Sequence, residues 1–285
     1  MSLTLKDLQF AFPTAVQHVR EALQDDVYDV RPWQELLQYA RNVSLDEARS
    51  VFEAFLRVFP TCAWQWLEWI RRERQQRNYD RVEALFSRCL QQCLDVPLYM
   101  EYLSYVVEAR GTTKEEIGNV IAAFKFALLR VGDDVTSGAI WQRYLSFLRA
   151  CPAETETEKA QRTAAIRDLY QRAIGQAITD VEALMRDYDR WENDMNPQFA
   201  ANVVAAHRDK FLKAKLIARE RRRLWKGINR DMLARPPTRS DEFAQEKEYR
   251  QVQLWRAVID LERANHQMLS AADLHRRVDF CYRRN

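Results

Sequence analysis

The sequence predicts an all-α chain of the α-solenoid class, a superhelix of stacked helical hairpins. Three observations predict it. Large residues recur as openers of helix-period patterns, at Trp33, Trp66, Tyr99, Trp141, Met185 and Trp255. Only 6 Gly and 8 Pro stand in 285 residues, about 5% together where ordinary usage is roughly 12%. No stretch sustains the two-residue alternation of a half-buried strand, so essentially no sheet is expected.

Each opener starts a first helix. Leu36 and Ala40 follow Trp33 at +3 and +7, Trp69 and Glu73 follow Trp66, Tyr102 and Val106 follow Tyr99. The same offsets give Tyr144 and Leu148 after Trp141, Tyr188 and Glu192 after Met185, and Val258 and Glu262 after Trp255. Those offsets place the groups on one helical face. A second helix follows. Phe52 has Leu56 at +4, Phe86 has Cys89 and Leu90, Phe124 has Ala127 and Leu128, and Tyr170 has Ala173 and Ile174. An aromatic, then a small residue, then an aliphatic one lets a neighbouring helix approach closely. The openers are separated by 33, 33, 42, 44 and 70 residues. The first two steps match the ~34-residue helical-hairpin repeats, and the later ones need longer connections.

Turn signals fall between these patterns. Pro60 closes the first unit, Pro97 precedes the third opener, residues 151–157 part the helices of the fourth, and Asn196-Pro197 part those of the fifth. Arg235-Pro236-Pro237-Thr238-Arg239-Ser240 is the strongest break. One hairpin cannot bury an aromatic face alone, whereas stacked hairpins bury it continuously. The openers with Phe52, Phe86, Phe124 and Tyr170 are therefore the expected repeat core. Trp64, two residues before an opener, is expected off that face.

Composition narrows the function classes. With 47% hydrophobic and 30% charged residues, the chain carries enough apolar surface to fold. No run reaches the ~18 apolar residues of a membrane span, and residues 1–7 lack a basic stretch followed by an apolar one. Five cysteines without framework spacing fit a reducing compartment better than a disulfide scaffold. Six scattered glycines write neither GxGxxG nor GxxxxGK[ST], the phosphate-cradling loops.

A first helix opening with Trp, an aromatic three on and Glu seven on, then a second helix with an aromatic-x-x-small-aliphatic run, resembles the HAT (half-a-TPR) repeat. The ordered series narrows this to the HAT-repeat subunits of cleavage stimulation factor. Residues 78–90 resemble the second repeat of that family and residues 102–106 the third. Residues 141–148 with 170–173 resemble the fourth, and residues 186–188 the fifth. The likeness runs from about Val27 to Tyr282. Met185 and Tyr99 stand where the family has Trp, with similar apolar volume. The resemblance implies a nuclear scaffold in cleavage and polyadenylation of pre-mRNA 3′ ends, with other processing subunits as its partners and no membrane. It implies an amino-terminal domain of about five repeats over 1–234, then a linker and the sixth repeat of a second group over 235–285. Homodimerisation is implied for that second group, most of which lies beyond this sequence.

Charge is unevenly placed. The formal net charge is +3, yet residues 201–285 carry 20 Lys+Arg against 11 Asp+Glu, and residues 207–239 carry 12 against 3. Arg208, Lys215, Arg219, Arg222, Lys226 and Arg230 form one helical stripe; Phe211, Ala214, Ala218, Trp225, Ile228 and Met232 form another, roughly opposite. A long amphipathic helix is expected to bury the second and show the first. The basic stripe reads either as a solvated face paired to neighbouring acids or as a footprint for RNA or an acidic partner. Arg outnumbers Lys by 35 to 9, which suits forked pairing with carboxylates or phosphates. Arg221-Arg222-Arg223 reads as a weak nuclear-localisation signal.

No catalytic constellation is legible. Cys89 and Cys93 share a helix face, but no third and fourth ligand stands near in sequence, and Cys89 fills the small repeat position. His18, His207, His266 and His275 are scattered, without HExxH, and no GxSxG occurs. Glu73, Glu192 and Glu262 recur at one repeat position, which reads as a structural acceptor toward the adjacent helix. The sequence is thus read as non-enzymatic, without catalytic, cofactor-binding or metal residues. Two alternatives to the 3′-processing scaffold are a HAT scaffold of another assembly (spliceosome or ribosomal-RNA processing) and a direct RNA-binding module using 207–239.

Overall fold

The structure, a computed structural model, describes residues 4–8, 10–111, 114–233 and 242–284. Among them are fourteen α-helices and no strand. They are α1 (Val19–Asp25), α2 (Val30–Asn42), α3 (Leu45–Val58), α4 (Ala63–Gln75), α5 (Tyr79–Gln92), α6 (Val96–Arg110) and α7 (Lys114–Val131). There follow α8 (Gly138–Ala150), α9 (Glu156–Ala173), α10 (Val181–Met195), α11 (Pro197–Ala205), α12 (Arg208–Trp225), α13 (Glu242–Arg263) and α14 (Ala271–Arg284). The chain divides into two compact units, residues 1–93 with 229–245, and residues 94–228 with 246–285. The Pro-rich break expected at 235–240, and with it the expected boundary at 234/235, lies outside the described residues.

In the first unit α2 pairs with α3 and α4 with α5, and α3 packs on α4. The helices start where sequence chemistry places caps: Asp29 accepts from the Arg31 N–H, and Ser44 from the Glu47 N–H. These acceptors satisfy donors that a helix start leaves free. Trp33, Phe52 and Trp66 are buried. Trp33 meets Phe55 edge-on at 5.8 Å between ring centroids, and Phe52 meets Trp69 at 5.9 Å. The openers are Trp for a polar reason as well. The Trp33 indole donates to Val27 O and the Trp66 indole to Pro60 O, each at 2.8 Å and each six residues back. The ring fills the core while its N–H ties down the preceding turn. Trp64 is half-buried and packs on Phe55 at 5.8 Å, so it belongs to the apolar contacts more than its position suggests.

In the second unit α6/α7, α8/α9 and α10/α11 are the hairpins. Tyr99, Phe124, Trp141 and Tyr170 are buried, and Phe124 stacks on Tyr144 at 4.8 Å. At Trp141 the carbonyl six residues back, Val135 O, accepts instead from the Thr179 N–H, and the indole N–H has no acceptor. Thr155 and Glu158 close a full capping box at the start of α9. Trp225 of α12 meets Trp255 of α13 edge-on at 5.2 Å.

Two expectations need correction here. Met185 is only half-buried. Val181, Leu184 and Tyr188 take the inward face of α10, because steps of three and four from Val181 to Glu192 define a stripe that passes beside position 185. The long basic helix is also shorter than expected. Asn196-Pro197 starts α11, a break at Ala206-His207 separates it from α12, and α12 stops at Trp225. The Lys226 and Gly227 N–H groups turn back to carbonyls of the last turn, and Arg230 and Met232 lie beyond the helix.

The second unit is not purely nearest-neighbour. The turn between α7 and α8 is buried, with Asp134 and Ser137 fully enclosed. Gly132 opens it, and a Cβ there would stand 2.2 Å from Leu128 O. Onto this turn come groups from far along the chain: Arg221 of α12, and Arg276 and Arg277 of α14. In a simple solenoid each repeat touches only its neighbours; here the sixth hairpin meets the turn that opens the fourth.

Candidate functional site

The recurring acid holds helices together. Glu73 of α4 accepts both branches of the Arg49 guanidinium from α3, at 2.8 and 2.9 Å. It also accepts from the Trp69 indole at 2.9 Å and the Asn78 amide at 2.7 Å. Burial alone would raise this carboxyl, but the hydrogen bonds from Arg49, Asn78 and Trp69 outweigh it and hold it at about 2, against an ordinary 4.5. Glu192 of α10 repeats the arrangement, accepting from Arg167 of α9 at 2.6 and 2.9 Å. The two arginines sit three residues before the aromatics Phe52 and Tyr170. Where the acid position holds Val106 or Leu148, the residue three before the aromatic is Glu83 or Ile121. The Arg and the Glu come and go as a pair, as a forked charge-assisted bond requires.

The third acid, Glu262, belongs to a larger buried cluster. Arg221 is fully enclosed. Its Nη1 donates to Ala177 O and its Nη2 to Asp133 O, each at 2.6 Å, and its Nε stands 2.8 Å from Glu262 Oε1. Arg277 lies beside it, donating to Gln267 Oε1 at 2.7 Å and standing 3.6 Å from Asp133. Gln267 in turn donates to Gly175 O at 2.6 Å. Burial, then the neighbouring Arg221 charge, pushes the Arg277 guanidinium downward. A carbonyl-rich turn, two carboxylates and two guanidinium forks thus share one buried site, where losing one partner is costly. Sequence reading missed this cluster. Arg221, which the sequence reads with Arg222 and Arg223 as a weak nuclear-localisation signal, is 0% exposed. Its signal was available: it lies three or four residues from Ala218, Ile217 and Trp225, on the buried stripe.

The basic stripe is largely engaged within its own unit. Lys215 pairs with Glu182 at 3.0 Å and Arg219 with the same carboxylate at 3.5 Å. Lys215 first, then Arg219, holds the Glu182 carboxyl below its ordinary range. Arg222 donates to Thr179 O at 3.0 Å. Arg208 at the start of α12 and Lys226 just past its end are exposed. Arg230 lies past the helix end. The opposite stripe buries Ala214, Ala218, Trp225 and Ile228, while Met232 is exposed.

All five cysteines are buried, and none is in a disulfide. Burial, then the neighbouring Cys93, pushes the Cys89 thiol up; burial, then Glu262, pushes Cys281 up to about 12. Such thiols are poor nucleophiles. Among the described residues no group of three His, Cys, Asp or Glu is placed to hold a metal ion. What the geometry does provide is a framework fixed by rings and forked ion pairs.

The comparisons with known proteins agree with one another. The family model described as "Suppressor of forked protein (Suf)" matches residues 14–285. The chain is 34% identical to "Protein suppressor of forked" of Drosophila melanogaster, over 84% of this chain and 30% of that protein. It is 33% identical to "Cleavage stimulation factor subunit 77" of Arabidopsis thaliana, over 90% and 34% respectively. It is 34% identical to "mRNA 3′-end-processing protein rna14" of Schizosaccharomyces pombe, over 75% and 29%. The chain therefore spans about a third of the length of these curated relatives. Among solved structures, "Crystal structure of CstF-77" superposes with a TM-score of 0.61 at 19% identity, covering 78% of this chain and 43% of that one. That likeness is one of fold.

Proposed function

The chain belongs to the suppressor of forked family, and on that premise we propose that it is a non-catalytic nuclear scaffold in pre-mRNA 3′-end processing, one that holds other processing subunits on its helical-repeat surface. The observation that carries the reading is the 34% identity to the suppressor of forked protein over 84% of the chain, with relatives whose names place them in mRNA 3′-end processing and cleavage stimulation. The framework suits the role. Helix pairs locked by buried forks such as Arg49–Glu73 and Arg167–Glu192 present a rigid surface, which reduces the ordering cost of binding. The division into repeats over 1–234 and a further group from 235 belongs to the same proposal. The RNA-binding reading is the weaker one, because Lys215, Arg219 and Arg222 already have partners in their own unit.

Affinity purification of the tagged chain from nuclear extract at moderate salt, with proteins identified by mass spectrometry, tests the reading. Cleavage and polyadenylation subunits are expected. Recovery of spliceosomal or ribosomal-RNA-processing proteins in their place would overturn it.

A further inference from the structure

The second unit carries a cleft of about 810 Å³, clear of the basic stripe and bordered on one side by Asp133, Gln267 and Arg277 of the buried cluster. Its walls come from α7, from the turn after α9, from the start of α12 and from the turn between α13 and α14. Its rim is cationic. Lys125 of α7 and Lys210 and Lys213 of α12 line it and are exposed. Lys210 reaches Gln171 O at 3.3 Å and Lys213 reaches the Met268 sulfur at 3.6 Å, so among the described residues none of the three has a carboxylate partner. The acids in the wall are already occupied: Asp133 and Asp273 both pair with Arg276, at 3.1 and 3.0 Å. The positive charge of the three lysines is therefore uncompensated.

The cleft also offers apolar surface. Leu129 is 67% exposed and Met268 is 74% exposed. Met268 holds a φ of 58°, a left-handed backbone that a long L side chain seldom adopts. Strain of this kind persists where the surroundings impose it and clusters at binding sites. Met268 presents a pliable thioether beside Lys213, a side chain suited to adaptable apolar contacts. Trp141 also lines the cleft, but it is buried and the Arg172 guanidinium covers its ring at 5.8 Å. No open aromatic platform is thus offered to a nucleobase, which single-stranded nucleic acid sites employ.

We propose that this cleft is a docking site for an acidic peptide segment of a partner protein, one whose carboxylates meet Lys125, Lys210 and Lys213 and whose apolar side chains meet Leu129 and Met268. The assignment deepens the scaffold reading and rests on it for the partner being another protein. Charge complementarity selects the occupant: uncompensated ammonium groups on the rim attract carboxylates, and the exposed apolar side chains of Leu129 and Met268 favour a peptide over a free anion. Gly175 shapes the wall, since a Cβ there would stand 2.1 Å from Lys210 Cε; the lysine stem lies across the bare glycine.

The test is fluorescence anisotropy with the full chain and a labelled peptide of repeated Glu-Glu-Leu at physiological salt. Saturable binding is expected. The triple variant Lys125→Gln, Lys210→Gln, Lys213→Gln is expected to lose about tenfold in affinity, since exposed ion pairs each contribute modestly, with its melting temperature unchanged. Met268→Gly is expected to weaken binding several-fold while raising the melting temperature, because glycine relieves the left-handed backbone. Unaltered peptide affinity in both variants would overturn the proposal. So would equal binding of a Glu-Glu-Ser peptide, or an oligouridylate that binds more tightly and is lost in the same triple variant. The two readings fail separately. If wild-type chain captures no processing subunits, the scaffold reading falls while the peptide titration still reports on the cleft. If it captures them and the triple variant captures them equally, the cleft assignment falls alone.

Discussion

Replacing Glu73 by Gln, and following stability against pH, isolates one clamp between helices. The carboxylate sits at about 2 in the folded chain, against an ordinary 4.5. That gap of about 2.5 units, at about 1.4 kcal/mol per unit, is worth about 3 kcal/mol of stability when the group is ionised. The folded-state value is the depressed one. The contribution is therefore complete above about pH 4.5 and declines as the pH falls toward 2. Glutamine keeps the shape but carries no charge, so it mimics the protonated acid at every pH. Urea unfolding of both proteins is the assay, read as the difference in unfolding free energy. That difference should stand near 3 kcal/mol at pH 6 and shrink steadily between pH 4.5 and 2. Other acids titrate in the same range, but they do so in both proteins and cancel. A difference that is small at pH 6, or flat across that window, would refute the claim that the Arg49 fork stabilises the charged form.

Other outcomes follow from the same packing. Trp66→Ala should cost about 3–5 kcal/mol in thermal or urea unfolding, the range for large core aromatics, because the ring is 1% exposed. Trp66→Phe should cost less, about 1 kcal/mol beyond the change in volume, because Pro60 O loses its indole donor and keeps only the weak Cys93 thiol; equal melting of Trp66→Phe and wild type would contradict the tie to the turn. A thiol reagent at pH 8 should modify the native chain slowly and the urea-unfolded chain fully, since all five thiols are buried and Cys281 ionises only near 12; rapid labelling of Cys89 or Cys281 in the native chain would show the enclosure to be wrong.

Much of this fold was legible because its signals are local. The aromatic at an opener, its partners at +3 and +7, and the small residue after Phe86 or Phe124 lie within one helix, where spacing fixes the face. The recurrence of Glu73, Glu192 and Glu262 marked a structural acceptor for the same reason. The donor was not local: Arg49 stands 24 residues before Glu73 and Arg167 stands 25 before Glu192. The excess of Arg over Lys pointed to forked pairing without saying where. Its use is now specific: arginines join carboxylates at Arg49 and Arg167, and backbone carbonyls at Arg72, Arg162 and Arg221. Least legible was the closure of the second unit. Arg276 meets Asp133 across 143 residues and Arg284 meets Asp95 across 189, and helical periodicity carries no information over such distances. The cationic cleft was hidden likewise, since its three lysines come from α7 and α12 and its exposed apolar side chains from α7 and the turn before α14.

Arg221 is the group that joins α12, α13 and the turn before α8. Removing it leaves the buried Glu262 with only Arg277, at 3.7 Å, and leaves two carbonyls without donors, a loss of about 3–5 kcal/mol. Native-state hydrogen exchange of Arg221→Ala against wild type reads that loss residue by residue. The expected result is a joint rise in exchange of roughly a hundredfold or more across residues 131–137, α12, the α13 segment from 246 onward and α14. Faster exchange confined to α12, with residues 131–137 and α14 still protected, would contradict it.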